Sequence, residues 1–197
     1  MPTLTFPTLS RGPSSLSWAM QSMTISHQSP LSGAMRTIST PGTRWKFTAT
    51  WPALHGSDRA AVEAFYAQLN GRAGRFYFSP PEYLVPKGTA RTGSVNGGGQ
   101  TGSALNVTLT AGTTLLKGDF FQVNNELKRM TADATADGGG GASLSFGPPL
   151  RASPPGGAAL TLSSPKAIFM LMDDLAGVTV GAGGYIDFTI DAIEAFL

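Results

Sequence analysis

The sequence predicts a mainly β protein: a β-sandwich with one packed α-helix that carries an inserted small β-barrel or sandwich module. Short apolar segments alternate with turn residues along the chain, which has 25 glycines and 14 prolines in 197 residues. This spacing is typical of all-β sandwiches and barrels. Two segments also alternate strictly between apolar and polar side chains, whereas only one segment has helical spacing. These observations together favour the predicted class.

The first 54 residues predict strands separated by turns. Leu16–Met20 alternates apolar with small residues and predicts a half-buried strand, and Ser29–Gly33 has the composition of a turn. Met35–Ser39 predicts a short strand that ends at Pro41-Gly42. Arg44–Trp51 has the clearest alternation, since every second side chain of a strand points to the same face. Four apolar residues share that face: Trp45, Phe47, Ala49 and Trp51.

One α-helix is predicted over residues 57–70. Ser57 is a suitable N-cap, and Asn70-Gly71 supplies a C-terminal stop. A strand at Arg75–Phe78 follows and ends before Pro80-Pro81. Helical spacing predicts one buried helix face, made of Val62, Phe65 and Leu69.

The composition shifts after residue 80, where a glycine-rich segment, Gly88–Gly102, predicts a flexible loop or hairpin tip. Apolar β-type sequence returns near residue 168, and in Tyr185–Ile193 the residues Ile186, Phe188 and Ile190 are expected to point inward. We therefore predict a discontinuous domain, residues 1–80 plus 166–197, and an inserted β-module, residues 81–165. The predicted strands of the insert are Leu105–Leu109, Phe120–Val123, Leu127–Thr131, Ser143–Phe146 and Ala159–Leu162, and the later ones are Ile168–Met172, Val178–Val180 and Tyr185–Ile193.

Charge is sparse and unevenly distributed. Only 13% of residues are charged and the net charge is +2, and a surface so poor in charge favours assembly with neighbours. Residues 1–91 carry +6 and residues 92–197 carry −4. This asymmetry is either ordinary scatter or the mark of two faces of opposite sign that meet head to tail. The chain has no cysteine, which excludes disulfides, thiolate metal sites and a cysteine nucleophile.

The chemistry-bearing side chains predict no catalytic, cofactor-binding or metal-binding site, and therefore no enzyme. The only histidines, His27 and His55, both lie next to turn signals. Asp187 and Asp191 share a strand face, so their separation is about 13 Å. That is wider than the roughly 5–9.5 Å between the carboxylates of a glycosidase.

The remaining acidic and glycine-rich groups are interpreted as turns. Asp133 and Asp137 flank a glycine run and offer oxygen ligands for Ca²⁺, but a solvated turn is the preferred interpretation. Asp173-Asp174 is expected to begin another turn. The glycine runs Gly97–Gly99 and Gly138–Gly141 precede neither Lys-Ser/Thr nor a helix, which argues against nucleotide binding.

The tryptophans and the apolar segments of the chain favour neither sugar binding nor membrane association. Trp18, Trp45 and Trp51 are candidates for stacking on sugars, but strand alternation favours a place in the core. The N-terminus lacks the basic and apolar regions of a signal peptide. The longest apolar run, Ala167–Met172, is too short to span a bilayer, so no membrane partner is expected.

Two parts of the chain resemble the distal tail (Dit-like) proteins, or baseplate-hub adaptors, of long-tailed, siphovirus-type bacteriophages. The first is the tryptophan-rich strand Trp45–Trp51, the helix Asp58–Leu69 and the segment Gly71–Phe78. The second is Gly118–Pro165, with its Gly-Asp, apolar strand, basic strand and Asp-Gly turn. With the closing strands, the resemblance extends from about Trp18 to Phe196.

This resemblance implies a structural protein of the virion. The discontinuous domain is expected to close as a hexamer into a ring related to the tail tube, with the tail-tube protein on one face and the baseplate hub on the other. DNA would pass through without sequence-specific binding. The resemblance implies no catalytic residues and no cofactor, and it places the protein at the tail tip after synthesis in the host cytoplasm. The alternatives are a carbohydrate-binding tail-associated β-module for host attachment, a cell-wall hydrolase, or a tube or terminator protein.

Overall fold

The computed structural model describes residues 2–174 and 177–196. Strands account for 47% of the chain and helices for 12%, which confirms the predicted mainly β class. The described chain has one α-helix, α1 (Gly56–Leu69), and three short 3₁₀ turns at Gly71–Ala73, Pro81–Tyr83 and Ala182–Gly184. The strands are β1 Leu4–Thr5, β2 Ser15–Gln28, β3 Met35–Leu54, β4 Phe76–Phe78, β5 Gly93–Val95, β6 Gly102–Leu109, β7 Thr114–Leu115, β8 Phe120–Val123, β9 Glu126–Met130, β10 Ala134–Thr135, β11 Gly141–Leu150, β12 Ala159–Leu160, β13 Ala167–Leu171, β14 Thr179–Val180 and β15 Ile186–Glu194.

The first sheet has seven strands. Its order is β1-β4-β13-β15-β3-β2, with β14 beside the start of β15. The β1–β4 pair is parallel and the other pairs are antiparallel. Helix α1 covers the core with its predicted face, because Val62, Phe65 and Leu69 are all buried. The alternation predicted in β15 is confirmed: Ile186, Phe188 and Ile190 are buried, and the residues between them are exposed.

Residues of the predicted insert form a second sheet in the order β12-β5-β6-β11-β9-β8. Gln122 of β8 and Thr161, next to β12, exchange two backbone hydrogen bonds of 2.9 Å, so the sheet closes on itself. Strands β7 and β10 pair separately. The second core lies inside this sheet and includes Leu105, Val107, Leu115, Phe121, Met130, Leu144, Phe146 and Leu160.

The insert begins and ends beside paired strands of the first sheet. Phe78 of β4 lies opposite Ala167 of β13, and the N–H of Ser164 donates to the carbonyl of Leu84 at 2.6 Å. Phe120 and Leu127 of the insert nevertheless pack into the first core. The division into two domains stays a prediction, because these side chains join the two sheets.

The start of the helix differs from the prediction. The helix begins at Gly56, and the N-cap position is taken by His55 instead of Ser57, with no side-chain hydrogen bond to cap it. Gly56 has a φ of +58°, and this left-handed conformation suits glycine and turns the chain into the helix. The predicted stop is confirmed, since Asn70 is left-handed and Gly71 follows it with a φ of +61°.

One strand prediction was also wrong. β3 is one strand of 20 residues, and Pro41-Gly42 does not divide it. Opposite this dipeptide the register shifts, from Gln21 paired with Arg44 to Met23 paired with Thr40. The extra residues of β3 form a bulge, where a proline and a glycine are tolerated within a strand. The segment Gly88–Gly102, predicted as a flexible loop or hairpin tip, contains β5 and the turn that joins it to the antiparallel strand β6, which fits the hairpin alternative.

Candidate interaction surface

The hairpin of β2 and β3 extends beyond the first sheet. β15 pairs with β3 only between Lys46 and Leu54, so residues 21–44 form a two-stranded ribbon that we call the arm. Ten residues of extended strand span about 33 Å. An isolated two-stranded ribbon is marginally stable in water, so the arm depends on its attachment to the sheet or on a partner.

The arm and its base expose large apolar side chains. Met20, Ile25, Met35 and Ile38 are between 48% and 65% exposed, and Leu31 at the tip is 99% exposed. Ile25 and Ile38 are direct cross-strand partners. Because side chains alternate along a strand, Ile25 and Ile38 lie on one face of the ribbon and Met35 on the other. Exposed apolar side chains of this size mark an interaction surface.

The outer edge of β2 has none of the usual protection of an edge strand. β2 is the last strand of its sheet, and Ser15–Gln28 contains no charged residue and no proline. Edge strands normally carry lysines, prolines or bulges that prevent pairing with another chain. β3 has such residues in the arm, namely Arg36, Pro41 and Arg44. The edge of β2 is therefore the one suited to pairing.

Buried polar contacts hold the base of the arm in place. The indole N–H of Trp45 donates to the carbonyl of Leu127 at 2.9 Å, and its backbone N–H donates to Glu194 at 3.1 Å. Glu194 is 1% exposed and forms an ion pair with Arg151. Burial raises the pKa of Glu194 above its ordinary value, and Arg151 opposes this shift. These contacts link the arm, β15 and the insert.

A second buried ion pair lies beside the first. The ammonium of Lys128, which is fully buried, donates to Glu126 at 2.6 Å and to the carbonyl of Pro149 at 2.7 Å. Burial lowers the pKa of Lys128, while Glu126 acts in the opposite direction. Glu126 also accepts from the backbone N–H of Arg151 at 3.1 Å. This pair helps to hold β9 and the end of β11 against the first sheet.

A groove of about 460 Å³ lies where β2 meets the insert. Trp18 and Met20 of the edge strand line it. Two exposed cations of the predicted insert, Lys117 and Arg129, also line the groove, and its lining within residues 2–174 and 177–196 includes no carboxylate. The other lining residues are Trp45, Gly118, Met130, Thr131 and Gly147.

The structure does not bring the two histidines together. His27 lies in the exposed arm, whereas His55 precedes α1, with its ring 5.1 Å from that of Tyr185. The two strand carboxylates have separate partners: Asp187 accepts from the N–H of Ala53 at 2.9 Å, and Asp191 accepts from the Thr48 hydroxyl. Across residues 2–174 and 177–196, no group of three or more His, Asp or Glu side chains is arranged to hold a metal ion.

The carboxylates of Asp133, Asp137 and Asp174 accept hydrogen bonds from backbone N–H groups. Asp133 accepts from the N–H of Lys117 at 2.7 Å, and Asp137 accepts from Gly139 and Gly141 at 2.8 Å each. Asp174 accepts from the N–H of Arg72 at 2.9 Å, and Asp173 precedes it in the same exposed segment. These carboxylates therefore stabilise backbone turns.

The glycine runs and the tryptophans have structural positions. Gly97–Gly99 lies between β5 and β6, and Gly138–Gly141 leads into β11, so neither precedes a helix. Trp45 and Trp51 are 3% and 2% exposed, as predicted for core residues. Trp18 is half-buried and lies within 6.2 Å of five aromatic rings.

Sequence reasoning missed the arm and the buried charges. Asp119 is 1% exposed and accepts from the N–H groups of Lys87, Gly88 and Leu116 at 2.7, 3.0 and 2.9 Å. The turn sequence Gly118-Asp119 was a signal for such a carboxylate. The absence of charge from β2 was the available signal for the arm.

Comparison with known proteins gives no family assignment. No protein-family model matches the chain, and no curated protein matches it significantly. In the described part of the chain, no helix combines the length and apolar character needed to cross a membrane.

Proposed function

We propose that this chain is a structural virion protein of a phage tail tip, forming a ring that joins the tail tube to the baseplate hub. The arm is the observation that carries the proposal. Its apolar side chains Ile25, Met35 and Ile38 are 50%, 65% and 57% exposed, on a ribbon beyond the part of β3 that pairs with β15. A protein that functions within an assembly needs such a surface, because burial of apolar area drives association.

The part of the β2 edge that lies in the arm, residues 21–28, suggests how copies would join. An uncharged, proline-free edge is suited to pairing with a strand of another copy. Pairing between two different surfaces is heterologous, and it generates a closed ring when the rotation between copies closes. A central opening in that ring would be the channel for DNA. The neighbours proposed from the resemblance are the tail-tube protein and the baseplate hub, and no catalytic role or cofactor is proposed.

Light scattering with negative-stain imaging of the same peak tests the proposal. We expect a closed ring of about six copies for the native chain, as in a cyclic homo-oligomer. The double variant Ile25→Ser, Ile38→Ser should assemble much less. Val85→Ser is the matched control, because Val85 is 58% exposed outside the arm. A native chain that stays monomeric at every concentration measured, or a double variant that still closes, would contradict the proposal.

A carbohydrate-binding tail-associated module is the second candidate. The groove favours it, since Trp18 lies beside two cations there. Titration of tryptophan fluorescence with host glycans distinguishes the candidates. Saturable quenching by a monomeric protein would favour the binding module, whereas ring formation without quenching would favour the adaptor.

A further inference from the structure

We propose that the groove binds an extended acidic segment of a partner protein, which pairs its backbone with the outer edge of β2. The groove contains both elements that such a ligand needs. Trp18 and Met20 of the edge strand line it, and so do the two cations Lys117 and Arg129. The inference goes beyond ring assembly and does not depend on it, because a single copy contains the complete groove.

The two cations have no carboxylate to neutralise them. The ion pairs formed within residues 2–174 and 177–196 are Arg59–Glu63, Lys128–Glu126 and Arg151–Glu194. Neither Lys117 nor Arg129 takes part in them. The carboxylate of Asp133 accepts from the backbone N–H of Lys117 at 2.7 Å and forms no ion pair with its ammonium. The ammonium and the guanidinium therefore remain available to a negatively charged ligand.

Aromatic rings hold the guanidinium of Arg129 at the groove. Its central carbon lies 5.4 Å from the ring centroid of Phe120 and 5.8 Å from that of Tyr83. Cation–π contacts at these distances orient an arginine without neutralising its charge. A planar guanidinium held in this way is suited to bidentate recognition of a carboxylate.

The open edge of β2 decides which kind of anion fits. Every second residue of an edge strand directs its N–H and C=O away from the sheet, and an added strand satisfies those groups. A free phosphate or a sugar would reach the cations but leave the edge unpaired. The groove of about 460 Å³ is also much larger than a single ion needs. Met20, which is 48% exposed, offers an apolar contact for alternate side chains of the added strand.

Fluorescence anisotropy with a defined probe tests this inference. The probe is a short, end-blocked, fluorescein-labelled peptide of alternating Asp and Val residues, and the matched peptide has Lys in place of Asp. We expect the acidic peptide to bind with a Kd of about 10–100 µM, which is ordinary for a short segment. Binding should weaken as salt is added, because the cations are exposed. The Lys peptide should not bind.

Variants assign the binding to the groove. Lys117→Gln and Arg129→Gln should each weaken the acidic peptide about tenfold, the effect of losing one charge-assisted contact. Lys117→Gln alone keeps the test valid if Arg129→Gln disturbs the packing of Phe120. Lys166→Gln is the matched control, since Lys166 lies over Tyr77, 4.6 Å from its ring centroid, and does not line the groove.

Chemical changes to the probe test the backbone pairing. Two methylated peptides are compared, each carrying N-methyl groups on one of the two sets of alternate nitrogens. Methylation of the set that donates to β2 should abolish binding, whereas methylation of the other set should not. Absence of binding up to about 1 mM would overturn the inference. Equal binding of the acidic and Lys peptides would also overturn it. If glucose 6-phosphate bound as tightly as the peptide, the groove would be a site for an anionic sugar instead.

Discussion

The inner and outer halves of one hairpin have opposite environments. In the inner half of β3, Trp45, Phe47 and Trp51 are at most 3% exposed. In the outer half, Met35 and Ile38 are 65% and 57% exposed. Both halves belong to one continuous strand, but α1 and β15 reach only the inner half. Alternation therefore predicts where a strand forms, whereas the cover over its apolar face depends on other elements or on another molecule.

The largest expected effect comes from truncating one apolar side chain in each half. Phe47 stacks on Phe78 at 4.2 Å between ring centroids, so Phe47→Ala should lower the free energy of unfolding by about 4 kcal/mol. Ile38→Ala in the arm should change it by less than about 0.5 kcal/mol, as at an ordinary surface site. Urea denaturation of dilute protein measures both values. Equal costs would show that the arm is already covered in solution.

The boundary between the halves can be weakened through its buried ion pair. Arg151→Ala leaves the carboxylate of Glu194 buried without a cation, which should cost about 3 kcal/mol. Hydrogen exchange of the Trp45 amide should also accelerate, because that N–H donates to Glu194. The matched control is Arg59→Ala, whose exposed helix pair with Glu63 is worth about 0.5 kcal/mol or less. If both variants were equally stable, Glu194 would not anchor the arm.

A smaller effect, on the pH dependence of stability, is expected from Tyr66, which packs against the inner half. Burial, and secondarily the charge of Asp191, raise the pKa of Tyr66 to about 12 from 10.0. Its hydroxyl donates to the carbonyl of Thr189 at 3.2 Å. Because the pKa of Tyr66 is raised in the folded protein, the neutral phenol stabilises the fold. This stabilisation is complete below pH 10 and is lost as the pH rises toward 12.

Absorbance titration of phenolate measures this shift. The difference between the native chain and Tyr66→Phe should show one tyrosine ionising near pH 12. A difference curve centred near the ordinary value of about 10 would contradict the buried position of the phenol.

Much of the fold was predictable because local patterns determine it. The alternation around Phe47 and Phe188 identified the inner strands, and the spacing of Val62, Phe65 and Leu69 identified the helix. The continuity of β3 was not predictable, because a bulge at Pro41-Gly42 is accommodated only by the register of the opposite strand. Closure of the second sheet was missed for the same reason, since it depends on pairing between residues distant in the chain.

The candidate surface was less predictable than the fold. The sequence shows that β2 lacks charge, but not that its outer half has no cover. Lys117 precedes β8 and Arg129 lies in β9, and the pairing of these two strands brings both residues to one groove. The asymmetric charge is either ordinary scatter or the mark of two opposite faces, and measured assembly would distinguish these interpretations.

The position of the insertion has a consequence for how this protein can diversify. Because β4 and β13 are paired neighbours where the insert leaves and returns, another module could be grafted there without moving the first sheet. Exchange is limited by Phe120 and Leu127, which close the aromatic cluster of that sheet. A replacement module must therefore supply two bulky apolar side chains that pack into the cluster as Phe120 and Leu127 do. The rest of the module can change.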